Sequence, residues 1–177
     1  MCFANKTFIT SGSDLIGYLR KCKTCYNSVH KGVNIIHYTD LDSLQLPKVI
    51  SGNQKTVIIL NTEIDRVGHW MILLLIQNRF SSLAMYIDSL NKIRYDNPRL
   101  YGKVKTFCKT NNLKLKDLSF RMQDPTSKCC GFHVLHLTAK FCHTSFHTFY
   151  DYVKMMKKNP FRINDRFSIR FVEKHYT

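Results

Sequence analysis

The chain has 177 residues, 44% of them apolar, which is enough for one compact domain spanning 1–177 and too few to promise two. Twenty-seven Lys and Arg against twelve Asp and Glu give a formal charge of +15, a surface that concentrates polyanions. No run approaches the roughly 20 apolar residues of a membrane span, the opening Met1-Cys-Phe-Ala-Asn-Lys6 lacks the body of a secretory signal, and seven scattered cysteines argue for reduced thiols rather than a disulfide framework. The expectation is a monomer made in the cytosol, with no membrane partner.

In chain order, Cys22-Lys-Thr-Cys25 with His30 and His37 could offer two thiolates and two imidazoles to zinc, but the spacing is not that of a recognised finger, and no metal site is expected. Three apolar runs follow: Thr56–Asn61, Gly68–Ile76 and Leu83–Leu90. Polar breaks separate them, as between successive strands. The middle run is apolar on both faces, which suits a central strand. After Asn97-Pro98 a helix is predicted with Leu100, Val104, Phe107 and Cys108 on its apolar side. Leu118–Met122 is predicted as a further strand. A helix over 145–158 ends at Asn159-Pro160. In a C-terminal helix capped near Asn164, Ile163, Phe167 and Phe171 form the apolar side. The fold class is α+β, with a mixed sheet of about five strands running from residue 56 through 122 and packed by helices.

The chemistry concentrates at Gln123-Asp-Pro-Thr-Ser-Lys-Cys-Cys130-Gly131. Cys130, Val134, Leu137 and Phe141 recur at helical spacing, so Cys130 opens a helix. A thiol there meets unpaired amides and the positive end of the helix dipole, which favour the thiolate, the attacking form. His69 stands at the start of the central strand and Asp88 at the end of the next. If these strands pair antiparallel, the two side chains meet at one edge of the core. Papain-like chemistry needs such an imidazole to move the thiol proton and a carboxylate to orient the ring. The side-chain NH2 of Gln123 and the backbone N–H of Cys130 can hold the oxyanion, and Gly131 keeps a crowded point clear. Cys129 is expected to pack inside. Trp70, beside His69, is expected to shield the imidazole and line the cleft, or else to pack in the core. His133, His136, His143 and His147 are expected on the helix surface or in packing.

This order of residues resembles the adenovirus protease (adenain) family of cysteine proteases and their relatives, the SUMO and ubiquitin-like-protein proteases. His69-Trp70 on a strand, an acid ending the next strand, glutamine, and Cys130-Gly131 opening a helix are the matching motifs. Asp14–Cys22, with Lys31–Val33 and Thr39–Leu41, is similar to the viral branch's opening helix and loop. The acid is Asp88, as in the cellular relatives, where adenovirus enzymes generally carry Glu. The resemblance implies a papain-like core, with Cys130 as nucleophile, His69 as base, Asp88 as acid and Gln123 as oxyanion donor. It further implies a viral endopeptidase that cleaves virion precursor proteins at Gly-containing sites in the virion and the host nucleus. No cofactor is needed for the chemistry. Viral DNA and a short viral peptide would activate, and the peptide would be tethered by a disulfide for which Cys108 is the nearest candidate by position.

The charge fits non-specific, salt-dependent DNA binding without base readout. Arg99, Lys103 and Lys109 lie along the helix after Pro98, and Arg162, Arg166, Arg170 and Lys174 recur every four residues near the C-terminus. Two other readings stay open: an isopeptidase that removes a ubiquitin-like modifier, and a basic DNA-binding protein that has kept the fold without the activity.

Overall fold

The structure, a computed structural model, describes residues 11–21, 33–46, 52, 54–63 and 68–176. Five strands, β1 (Val33–His37), β2 (Gln54–Asn61), β3 (Trp70–Gln77), β4 (Ser82–Ile87) and β5 (Lys114–Asp117), form one mixed sheet in the order β1-β2-β3-β4-β5. The outer pairs are parallel and the inner pairs antiparallel.

Strand side chains alternate between faces, and here both faces are apolar. Val57, Ile59, Ile72, Leu74, Met85 and Ile87 enter one core cluster, while Ile58, Leu60, Met71, Leu73, Leu75 and Tyr86 enter another. Each such buried side chain contributes roughly 1.5–3 kcal/mol. This is why the 68–76 run is apolar throughout: β3 is the middle strand of a sheet covered on both sides.

The first face is covered by α1 (Gly12–Lys21), α4 (Cys130–His143), α5 (Phe146–Lys158) and α6 (Phe161–Tyr176). The second is covered by α3 (Pro98–Thr110) and a 3-10 turn (Tyr38–Ser43); a short helix, α2 (Ile93–Asp96), follows β4. Asn97 caps α3 by accepting the Leu100 N–H, with Pro98 in the first turn, and Ser145 caps α5 through the Thr148 N–H. Lys55 reaches across from β2 and donates to the carbonyls of Phe141 (2.7 Å) and Thr144 (2.6 Å). It closes the C-terminal end of α4, where a cation also complements the helix dipole.

Three expectations are corrected. The sheet begins at β1 rather than at residue 56. The last strand is Lys114–Asp117, and Leu118–Met122 is not a strand. That segment crosses the end of the sheet, buries Phe120 and Met122 in the first core cluster, and bonds to β4 and the turn beyond it through Leu118 N–H to Tyr86 O (2.8 Å) and Met122 N–H to Ser89 O (2.8 Å). In α6 the inward face is not that of Ile163 and Phe167, although Phe171 packs, partly buried, against the first core cluster. Phe167 is 47% exposed and Ile163 is also exposed, whereas Asn164, Asp165, Ser168, Ile169, Val172 and Tyr176 are buried. Asn164 is therefore interior and does not cap α6; its side-chain NH2 donates to Met156 O at 2.9 Å, at the C-terminal end of α5. The polar inward face is tolerated because α4 supplies partners for Asp165 and Ser168.

Candidate active site

β3 and β4 pair antiparallel with Ile72 opposite Ile87. The residues just outside the ladder, His69 and Asp88, therefore arrive at the same edge. His69 is held from behind by a backbone N–H bond to Thr62 Oγ1 at 2.8 Å. The preceding Gly68 is a close approach: a Cβ there would overlap Asn61 Oδ1 and stand 2.9 Å from the Glu63 nitrogen.

The Asp88 carboxylate, 1% exposed, is the most heavily bonded group of the site. Oδ1 accepts His69 Nε2–H at 2.6 Å and Leu90 N–H at 2.9 Å. Oδ2 accepts Lys92 N–H at 2.8 Å and Ile93 N–H at 2.9 Å. Burial opposes its charge, but the bond to His69 and those backbone donors prevail and hold it below the usual carboxylate range. Its own N–H donates to Ser119 Oγ at 3.0 Å.

With Nε2 committed to Asp88, His69 also lies beside Cys130, and each shifts the ionisation of the other. Burial disfavours the imidazolium, yet Asp88 and Cys130 together raise the ring to about 9. Cys130, 9% exposed, opens α4. Burial pushes its thiol up, but His69 and the backbone N–H groups of Trp70 and Gly131 outweigh that and lower it. The pair thus favours thiolate and imidazolium. Neighbouring Cys129 is buried away from the ring, and desolvation pushes it up to about 11.

Gln123 is fixed at the same corner. Its N–H bonds Ser89 O at 3.0 Å, its Oε1 accepts Ser89 Oγ–H at 2.8 Å, and one hydrogen of Nε2 goes to Ser127 O at 2.7 Å. The structure therefore brings together Cys130, His69, Asp88 and the segment carrying Gln123. Ser89, Ser119 and the Trp70 amide were not foreseen. Ser89 has a sequence signal only in following the acid, and a backbone N–H has none.

Other expected residues fall elsewhere. Trp70 is a core residue, 2% exposed, and does not line an open cleft. Cys108 is buried on the inner side of α3 with its thiol pushed up to about 11 by desolvation, which is not the setting of a thiol that exchanges disulfides. Arg99, Lys109, Arg162, Arg166, Arg170 and Lys174 are exposed. Lys103 is half-buried and paired with Asp42, and Arg162 bonds Asp124 Oδ2 at 3.4 Å. Cys22, Cys25 and His30 lie outside the described residues. His37 bonds Thr39 and Thr62 O. Among the described residues no group of three or more His, Cys, Asp or Glu could hold a metal ion, and no helix is long and apolar enough to cross a membrane.

No family model and no curated protein sequence matches the chain; the likeness to known proteins is one of structure. The ASFV pS273R protease aligns over 99% of this chain and 70% of its own, at 14% identity and a TM-score of 0.55. HopZ1a, solved in complex with IP6, aligns over 82% of this chain at 12% identity and a TM-score of 0.52. The chain shares its fold with both of these proteins. The chain spans about half of HopZ1a, 47% of its length. The SUMO protease Ulp1, with its catalytic cysteine oxidised to a sulfinic acid, aligns at 14% identity and a TM-score of 0.42 over 93% of this chain and 78% of its own.

Proposed function

We propose that the protein is a cysteine endopeptidase in which Cys130 attacks the scissile carbonyl. The observation that carries this reading is the series Cys130–His69–Asp88 at the N-terminus of α4, in which Asp88 bonds the ring and the ring lowers the thiol, in a fold shared with cysteine proteases. Asp88 keeps the His69 proton on Nε2 or stabilises the full imidazolium, so the inner nitrogen can take the thiol proton and return it to the leaving amine. The second N–H of the Gln123 amide and the Cys130 amide receive the oxyanion. Losing one such donor typically costs about 3 kcal/mol of barrier.

The substrates are viral precursor proteins with Gly near the cleaved bond. The fold shared with the ASFV protease and the adenain-like motif order support the viral setting, and the Gly preference rests on that motif order alone. Non-specific DNA binding through the exposed Arg166, Arg170 and Lys174 and the +15 charge would bring enzyme to genome-packed substrates.

The test is labelling by an electrophilic Gly-terminated peptide. Wild type and Cys129→Ala should react and Cys130→Ala should not. Equal labelling of wild type and Cys130→Ala overturns the assignment. Faster reaction with modifier-conjugated proteins than with virion precursors would turn the reading towards an isopeptidase.

A further inference from the structure

A second set of buried polar side chains lies between the nucleophile helix, α5 and the inward face of α6. His133 and Ser168 are wholly buried, and His136 and Asp165 nearly so. Tyr152 OH lies 2.9 Å from His136 Nε2, His136 Nδ1 lies 3.0 Å from Ser168 Oγ, Ser168 Oγ lies 2.9 Å from His133 Nδ1, and His133 Nε2 lies 2.7 Å from Asp165 Oδ1. Each hydroxyl has one proton, and burial first, then neighbouring cations, keep His136 neutral, lowering it to about 3. The Asp165 carboxylate can only accept, so the His133 Nε2–H donates to it. Tyr152, His136, Ser168, His133 and Asp165 are thus joined in one unbroken series of hydrogen bonds.

Ser168–His133–Asp165 has the composition of a serine nucleophile triad, but the hydroxyl is sealed from solvent and committed within the chain of bonds. Its consequence lies at the other end. Asp165 Oδ2 accepts the backbone N–H of Asp124 at 3.2 Å, one residue from Gln123. His133 belongs to the first turn of α4, its own N–H bonded to Cys129 O at 3.0 Å. Asp165 therefore joins the loop carrying the oxyanion donor to the helix carrying the nucleophile, opposite the Ser89 anchor.

We infer that Asp165, oriented by the His133–Ser168–His136–Tyr152 chain, is a positioning residue that sets where the Gln123 amide points. This rests on the protease reading. Misplacing a catalytic group by about 1 Å can cost 10²-fold, and Asp165 bonds the loop that carries Gln123, while His69 is held separately by Thr62 and Asp88. Its loss should therefore separate two reactions. Turnover needs an oxyanion site. Alkylation of Cys130 by iodoacetamide needs only the thiolate.

Asp165→Ala is expected to lower kcat about 10–100-fold, with KM and the iodoacetamide rate within about threefold of wild type. Asp165→Asn can still accept from the Asp124 N–H and keeps a polar group facing His133. It is expected to restore most of the turnover lost in Asp165→Ala. Should Asp165→Ala not fold, Asp165→Glu keeps the charge and displaces the acceptor by a methylene; kcat should fall at least about fivefold with alkylation unchanged. Wild-type kcat in Asp165→Ala or Asp165→Glu, or equal losses of turnover and alkylation, overturns the inference. A wild type without turnover, whose alkylation is unaffected by His69→Ala, overturns the protease reading instead.

Discussion

Replacing Asp88 by Asn changes one atom, yet the four bonds at this carboxylate leave the amide no equivalent placement. With its NH2 at the Oδ2 position, the new side chain faces two donors, the N–H groups of Lys92 and Ile93. Bonds to a charged group are worth roughly 1.5–3 kcal/mol each, so this placement loses about 3–6 kcal/mol. With its NH2 at the Oδ1 position only the Leu90 bond is lost, about 1.5–3 kcal/mol, and this placement wins. It has a chemical consequence. The NH2 now donates to His69 Nε2, so the ring proton moves to the nitrogen facing Cys130, which can no longer act as a base. Asp88→Asn should therefore melt only about 4–8 °C lower, taking about 2 kcal/mol at 2–4 °C per kcal/mol, while kcat falls about 10³–10⁴-fold. A fluorogenic Gly-terminated peptide and a thermal melt measure both. Wild-type turnover in a folded Asp88→Asn protein would refute the reasoning, as would a melting loss so large that the other placement must have been taken.

Other outcomes follow from the same geometry. His69 is raised above its ordinary 6.5 to about 9. The stabilisation from its pairing is complete below 6.5 and disappears as pH rises through about 9; turnover should fall over the same alkaline limb, as a pH–rate profile measures. Gly68→Ala should push the chain away from Asn61 and Glu63, displacing His69 and lowering kcat at least about tenfold. Lys55→Met should lower stability by about 1–3 kcal/mol in urea melts, through the uncapped carbonyls of α4. Duplex DNA affinity should fall steeply with salt, and a flat dependence would remove the DNA proposal.

The candidate site was legible because each member marks the end of an element. His69 precedes a run apolar on both faces, Asp88 closes the next, and the Cys130 helix announces itself by period. The strands at the edges were not legible. Lys114-Leu-Lys-Asp117 has one apolar residue, since a parallel edge partner to β4 needs little more, and Val33–His37 is short with polar residues inside. In α6 two stripes compete at helical spacing. Hydropathy favoured Ile163, Phe167 and Phe171, whereas burial went to the face whose Asp165 and Ser168 find histidines on α4, more than thirty residues away in sequence. A polar residue cannot declare its partner from sequence alone, so the network stayed hidden.

The ultraviolet thiolate absorbance of wild type minus Cys130→Ala, followed from acid to alkaline pH, tests the ionised sulfur most directly. A difference signal already present at neutral pH, which rises well below the ordinary thiol range and is lost from neutral solution in His69→Ala, is the expected result. A signal that appears only near pH 9, as for an ordinary cysteine, would contradict the nucleophile assignment.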